Sequence, residues 1–259
     1  RCHRQTTNST KLIRGSGMTQ TNLIYGTPRP RVLLATVAIG FPLFPGPAFS
    51  QDPSVFGDQP FIEEPISNEF SFSYGIDFTT NYISKGFTQT DDKPAVQVYA
   101  ELSYGLFYVE TFASNADFGS TDVEVDIGGG FRPTIGNLEL NIGYAQYLYF
   151  NDSTDYGEAF VHASYPVLDQ FSVGMKYWHE VFADFDTLYL EAEVSDLPWG
   201  LSLSGGFGSD FGTRGLGVDA DFGDIGLSKD LGKNASIDVR GHYSRIEKNR
   251  LIGTLSFFY

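Results

Sequence analysis

The sequence has a single cysteine among its 259 residues, at position 2. A disulfide bond within the chain is therefore excluded, and stability must come from a large core or from a closed network of backbone hydrogen bonds. The sequence also lacks any run of about 20 apolar residues, which excludes a transmembrane helix. No helical period of useful length is present either. These absences point to a chain built mainly from strands.

Acidic residues are missing from the first 50 positions, which hold six of the 17 basic residues. The rest of the chain therefore carries 11 basic and 32 acidic residues, a formal charge of −21. Such a charge excludes nucleic acid as a partner, because phosphate backbones bind basic surfaces. A basic, acid-free start before an acidic body predicts a targeting segment.

That start has the parts of a secretory signal peptide. Arg29 and Arg31 precede an apolar run over residues 32–44, and Ala48 and Ser50 supply small residues for a cleavage site. The run is too short to span a membrane as a helix. A buried core segment is the alternative interpretation, but the flanking residues favour export.

Alternation of apolar and polar residues begins after residue 68 and continues with few interruptions to the end of the sequence. In "FSFSYGIDF", Phe70, Phe72 and Tyr74 share one face, while Ser71 and Ser73 share the other. Period two is typical of strands with one apolar and one polar side. Eleven similar segments follow, and most tight turns alternate with longer polar links.

This layout predicts an all-β fold: a single 12-stranded antiparallel up-and-down transmembrane β-barrel of the outer-membrane type. The strand over 218–231 is expected to contain a bulge, because its apolar parity shifts between Phe222 and Ile225. The expected organisation is an upstream segment at 1–17 before a start at Met18, a cleavable signal peptide at 18–50, a flexible periplasmic segment at 51–68 and the barrel at 69–259.

Alternation alone does not say which face lies outside, since a soluble sandwich or a lipocalin-like barrel would hide its apolar side. Three features favour a membrane: carboxylates on most polar faces, a ring too wide for a simple filled core, and an aromatic residue closing the final strand. Strands in lipid must form a closed barrel to satisfy their backbone groups. Interfacial aromatic girdles are expected from Phe70, Phe72, Tyr82, Phe87, Tyr104, Tyr165, Phe257 and Tyr259.

The polar faces would then line a lumen in which acidic groups outnumber Lys176, Lys229 and Arg240. Rings of acidic side chains favour cations, so the sequence predicts a passive channel for small solutes with a cation-favouring lumen. Ion pairing, or a barrel too narrow to conduct, is the alternative. The predicted pore-lining residues are Asp77, Glu101, Glu110, Glu124, Asp126, Glu139, Glu158, Lys176, Glu191, Glu193, Asp238 and Arg240.

The stretches "TTNYISKGFTQTDDKPAVQVYAEL" and "YGLFYVETFASNADFG" resemble the TorF family of porins, a group of proteobacterial outer-membrane proteins. Over residues 73–119 the resemblance is one of sequence motifs. Beyond them it is limited to the layout of the strands. It implies an outer-membrane porin barrel but no particular solute. Family members more often have Arg where this chain has Lys85. The residues that carry the motif are Tyr82, Lys85, Gly86, Gln89, Lys93 and Pro94.

Two other functions are compatible with the pattern. An outer-membrane lipase or protease would need a nucleophile beside a base, and His162 with Ser164, or His179 with Glu180, are the available pairs. Neither pair belongs to a recognisable motif. A structural or adhesion barrel would act through its loops, yet these are short and lack the spacing of a calcium loop. The sequence predicts no enzyme, no cofactor and no metal site.

The final strand, "LIGTLSFFY", is expected to close the barrel against the first one, because an unpaired edge in lipid is very costly. Leu255, Phe257 and Tyr259 resemble the C-terminal signal by which bacterial outer-membrane proteins are assembled. The expected location is the bacterial outer membrane, and the expected partners are its lipid and lipopolysaccharide, the barrel-assembly machinery and small solutes or cations.

Overall fold

The computed structural model of the protein describes residues 69–151, 156–182, 184–211 and 220–259. The three segments expected before the barrel, 1–17, 18–50 and 51–68, lie outside these described residues. Within the described ranges, no helix is long and apolar enough to cross a membrane.

Twelve long strands make up most of the described chain. They are β1 (Phe70–Thr79), β4 (Ala95–Tyr104), β5 (Phe107–Phe118), β6 (Thr121–Phe131), β8 (Leu138–Tyr149), β9 (Tyr156–Leu168), β10 (Phe171–Glu180), β11 (Phe185–Leu197), β12 (Leu201–Phe211), β13 (Ala220–Asp230), β14 (Ala235–Ser244) and β15 (Arg250–Phe258). Three short strands complete the set, namely β2 (Ile83–Ser84), β3 (Phe87–Thr88) and β7 (Thr134–Ile135).

The long strands form one closed antiparallel ring. Each long strand pairs with its neighbours in the chain, β6 pairs with β8, and β1 pairs with both β4 and β15. The pairing of β1 with β15 runs from Gly75 opposite Phe258 to Thr79 opposite Thr254. The expected all-β fold with twelve antiparallel strands in a single barrel is therefore confirmed.

The two faces of the ring follow the period of the sequence. Every one of the twelve long strands contributes at least one exposed large apolar side chain to the outer face, and Leu251 and Phe107 are 74% and 66% exposed. Polar and aromatic side chains alternate with these and point inward, where most are buried. A closed ring satisfies the backbone groups of every strand, which an open sheet cannot do.

The two ends of the barrel differ. One end, here called the short-turn end, carries the connections after β4, β6, β9, β11 and β13, together with the start of β1. The other, here called the loop end, carries the connection from β1 to β4 and those after β5, β8, β10, β12 and β14. The connection between β5 and β6 also lies at the loop end, but it is short: only Gly119 and Ser120 separate the two strands.

The bulge expected in the strand over 218–231 is not found in β13. Its register against β12 and β14 is continuous, and register shifts occur instead between β5 and β6, β9 and β10, and β11 and β12. Phe222 points inward although it is apolar, while Ile225 is exposed on the outer face. Lys229, expected in the lumen, is also exposed on the outside near the short-turn end. The shift in the apolar pattern of β13 therefore arises because the aromatic Phe222 points inward, and not because the strand contains an extra, bulged residue.

Candidate functional site

The predicted pore-lining residues all lie on the inner face of the ring. Ten of them are buried, and Glu139 and Glu191 are partly exposed. The structure adds further inward charges that the sequence analysis did not select: the carboxylates of Glu180, Asp210 and Asp224, and the basic groups of Lys85 and Arg132.

Part of this acidic lining is neutralised by ion pairs across the lumen wall. Arg132 bonds both carboxylate oxygens of Glu101 at 2.8 Å each. Lys176 Nζ lies 3.1 Å from Glu191 Oε2. Arg240 contacts Asp224, and its Nη2 lies 3.0 Å from Asp238 Oδ2. Lys85 pairs with Glu158, as described below. Among the described residues, all four inward basic groups are thus paired, and the surplus of charge on the inner face is negative.

The connection between β1 and β4 enters the barrel. Its short strands β2 and β3 pair as a hairpin, here called the loop hairpin, with Ile83 opposite Thr88 and Ser84 opposite Phe87. Tyr82 and Ser84 are 0% exposed. Tyr82 and Phe87, which were expected in an aromatic girdle at the membrane surface, are therefore buried inside. That expectation was wrong because the barrel interior is wide enough to admit a loop.

Lys85, at the tip of the loop hairpin, is held by a cage of side chains from the barrel wall. Its Nζ donates to Glu158 Oε1 over 2.6 Å and lies 4.7 Å from the centre of the Trp178 ring. Two phenols donate to the same carboxylate, Tyr156 over 2.7 Å and Tyr147 over 3.1 Å. The side chains of Lys85 and Glu158 are 1% and 0% exposed. A buried pair of this kind is stable only because further hydrogen bonds satisfy its charges.

Gly86 permits the tip to approach the opposite wall. Its φ is +84°, and a Cβ placed there would lie 2.7 Å from Cβ of Phe222 and 3.4 Å from Cβ of Ser244. Both the backbone conformation and the space therefore require glycine. This contact also accounts for the inward position of Phe222.

Replacement of Gly86 by Ala is expected to loosen the loop hairpin by about 1 kcal/mol or more, since both a backbone penalty and a collision are introduced. Hydrogen exchange of the β2 and β3 amides should accelerate accordingly. Gly119→Ala is the matched control, because Gly119 also has a positive φ, +59°, but has no atom within 4 Å of the added Cβ. Equal acceleration in the two variants would mean that the tip is not in contact with β13.

The remaining motif residues tie the base of the loop together. The amide of Gln89 donates to the Tyr82 carbonyl over 2.7 Å, and its carbonyl accepts from the Asp117 amide over 2.8 Å. Lys93 is exposed and pairs with Asp117. Pro94 directly precedes β4, where no donor is needed, and its carbonyl accepts from Asn115 over 3.2 Å.

A second set of ion pairs holds the connection between β1 and β4 at the rim of the barrel. Asp92 accepts from Arg250 over 2.5 Å and lies 2.8 Å from Lys248, both in or beside the connection between β14 and β15. These hydrogen bonds lower the pKa of Asp92 to about 2. The carboxylate therefore stays ionised, and its ion pairs with Arg250 and Lys248 persist, until the pH falls through that value.

The two histidine pairs considered for hydrolysis are placed differently. His179 points to the outer face and lies 3.0 Å from Asp186, whereas its neighbour Glu180 points inward, so these two residues do not meet. His162 and Ser164 both face inward and are buried. His162 packs between the rings of Phe160 and Trp178, at 4.9 and 5.0 Å. Among the described residues, no group of three or more His, Cys, Asp or Glu could hold a metal ion.

The residues of the expected assembly signal lie where the ring closes. Phe257 pairs with Ile76 and Leu255 with Phe78, and the side chains of both point outward. Tyr259 exchanges two backbone hydrogen bonds with Tyr74, over 2.9 and 3.1 Å, and their rings stack at 5.6 Å.

Comparison with known families agrees with this barrel. A family model described as a bacterial protein of unknown function, Gcw_chp, matches residues 63–249. The chain belongs to the Gcw_chp family. The match spans both the loop hairpin and nearly all of the barrel of this family member, but it does not test the resemblance to TorF porins, which stays a prediction. No curated protein sequence matches the chain.

Solved structures with a similar fold are outer-membrane porins. The KdgM porin aligns with a TM-score of 0.56 and 11% identity, covering 71% of this Gcw_chp chain and 98% of KdgM. KdgM in complex with disordered oligogalacturonate aligns with a TM-score of 0.54 and 12% identity, covering 72% and 97%. At these identities the likeness establishes a porin-type barrel fold and leaves the solute open.

Proposed function

We propose that this protein is an outer-membrane channel of the porin type that passes small cations. The observation that carries the proposal is a closed barrel whose outer face is apolar on every long strand and whose inner face has more carboxylates than basic groups.

The outer face supports the membrane location. Soluble proteins rarely expose contiguous apolar patches larger than a few hundred Å². Here the exposed apolar side chains continue around all twelve long strands, from Val98 on β4 to Leu190 on β11 and Val239 on β14. A bilayer is the environment in which such a band is stable. Outer-membrane lipid, lipopolysaccharide and the barrel-assembly machinery are the partners that this location implies.

The inner face supports the preference for cations. Both carboxylate oxygens of Asp126 are buried and accept no hydrogen bond from the part of the chain that the structure describes. The carboxylates of Glu110 and Glu124 lie on the same wall, on β5 and β6. A wall rich in carboxylates attracts cations and repels anions. Oligogalacturonate, seen with KdgM, is a chain of acidic sugars, and this lumen is electrostatically unsuited to it.

The loop hairpin determines whether the channel is open. With Tyr82, Ser84 and Lys85 buried among wall residues, the lumen is filled at that level. Passage of a hydrated ion therefore requires the hairpin to move. The filled lumen also favours a second candidate, a non-conducting structural barrel, and the two are separated by whether ions pass at all.

Planar-bilayer recordings of the refolded barrel under a salt gradient test the proposal. The reversal potential of the open state is expected to have the sign of cation preference and to shift toward zero in a Glu124→Gln, Asp126→Asn variant, because that wall loses its charge. Glu69→Gln, which changes a carboxylate before the first strand, is the control. Anion preference would contradict the cation channel, and silence in every variant would favour the structural barrel.

A further inference from the structure

The cage around Lys85 has the composition of a binding site for an ammonium ion. A carboxylate with two phenol donors fixes one side, and the face of an indole ring lies on another, 4.7 Å from the nitrogen. Carboxylates and aromatic faces together are the groups that recognise organic cations. The cage belongs to the barrel wall, since Tyr147, Glu158 and Trp178 lie on β8, β9 and β10.

The occupant of the cage belongs to a different element, the loop hairpin. Lys85 has a φ of +45° and is followed by Gly86 at +84°. A non-glycine residue in the left-handed region is strained and stays there only where its surroundings hold it. The backbone at the tip is thus strained, and the cage contacts compensate for that strain. The lysine is held as a ligand would be held, by side chains of the barrel strands β8, β9 and β10.

From this geometry we infer that the Tyr147–Tyr156–Glu158–Trp178 cage is a site for primary alkylammonium ions, and that Lys85 is its tethered occupant. A free ammonium ion competes with Lys85 for the cage and releases the loop hairpin. Tethering gives Lys85 an effective concentration in the millimolar range or above, so a free ion competes only at comparable concentrations. A primary ammonium matches the group that Lys85 presents, with N–H donors for the carboxylate and a compact charge for the ring face, whereas a quaternary ammonium has no N–H to donate.

The test uses Lys85→Ala, which removes a propylammonium-sized group from the cage, and n-propylammonium chloride as the probe. Saturable binding to the detergent-refolded barrel, measured by calorimetry, and recovery of the melting temperature are both expected. Neither 1-propanol nor an equal concentration of sodium chloride should have this effect. Binding should weaken about tenfold or more when Glu158→Gln is added, because the charge-assisted hydrogen bond is lost.

Lys93→Ala is the matched control, since Lys93 lies in the same loop but is exposed, and no propylammonium binding is expected there. In the wild-type barrel, n-propylammonium should accelerate hydrogen exchange of the β2 and β3 amides, and sodium chloride should not. If Lys85→Ala does not refold alone, its refolding yield with and without n-propylammonium is the measurement, and a gain specific to the amine is expected. Absence of amine-specific binding, recovery or yield would overturn the inference. None of these readouts depends on conduction, so they stand apart from the test of the channel.

Discussion

Deletion of residues 257–259 is expected to abolish assembly of the barrel. The deletion removes the pairs that Phe257 and Phe258 make with β1, and the two backbone hydrogen bonds between Tyr259 and Tyr74. It would leave Tyr74, Gly75 and Ile76 without a partner on that side, and each unpaired backbone group in lipid costs several kcal/mol. The truncated chain should be absent from the membrane fraction and should lack the heat-dependent gel mobility of a folded barrel.

Tyr259→Phe is the control for this deletion. It keeps the backbone pairing and the ring that stacks on Tyr74, and removes only the hydroxyl group, so assembly should be close to that of the wild type. A truncated chain that still inserts and shows the mobility of a folded barrel would mean that the contact between β1 and β15 is not what closes the ring.

Replacement of the segment from Tyr82 to Gln89 by a flexible Gly/Ser segment of equal length is expected to raise the single-channel conductance severalfold. The change removes the side chains that fill the lumen at the level of Glu158 and Trp178, and it exposes their carboxylate and ring to water. A wider, wetter path carries more current, and the freed Glu158 strengthens the preference for cations.

Replacement of residues 91–93 by a Gly/Ser segment serves as the control, because Asp91, Asp92 and Lys93 lie at the exposed rim and not in the lumen. A smaller increase is expected there, through loosening of the rim pairs that Asp92 makes. Equal conductance in the wild type and in the hairpin variant would show that the hairpin does not limit the path, and the gate would have to be sought elsewhere.

The number of long strands and the direction of most of their side chains could be predicted from the sequence, because both depend on local alternation. Asp77, Glu101 and Arg240 were selected for the inner face by parity alone, and each is buried there. The pairing of β1 with β15 could also be predicted, since a barrel in lipid cannot leave its first and last strands unpaired.

The path of the first loop could not be predicted, because its polarity is consistent with solvent as well as with a polar lumen. Asp91 and Asp92 are indeed exposed, as their charge indicates, but the tip between Ile83 and Phe87 is buried. The available signal was the pair of apolar residues on either side of the Lys85–Gly86 turn, which a freely solvated loop has no need to contain. Whether such a turn enters the lumen depends on the width of the barrel, which is a tertiary property.

The parity shift at Phe222 failed as a predictor of a bulge for the same reason. An apolar residue on the polar side of a strand indicates either an extra residue in the ladder or a partner inside the barrel. Here the partner is Gly86, 136 residues earlier in the sequence, together with the Tyr189 ring, whose centre lies 5.8 Å from that of Phe222. A local sequence pattern contains no information about a contact between residues that lie so far apart in the chain.

Thiol labelling tests the central claim, a hairpin buried inside a membrane barrel, most directly. Ser84→Cys places a thiol on the loop hairpin where the side chain is 0% exposed, and Ser120→Cys places one at the exposed turn between β5 and β6. With Cys2 replaced by Ser, a charged, membrane-impermeant thiol reagent is added to intact cells. Rapid labelling is expected at position 120 and protection at position 84, and the protection should be relieved when Lys85→Ala is added. Equally rapid labelling at both positions in an assembled barrel would contradict it.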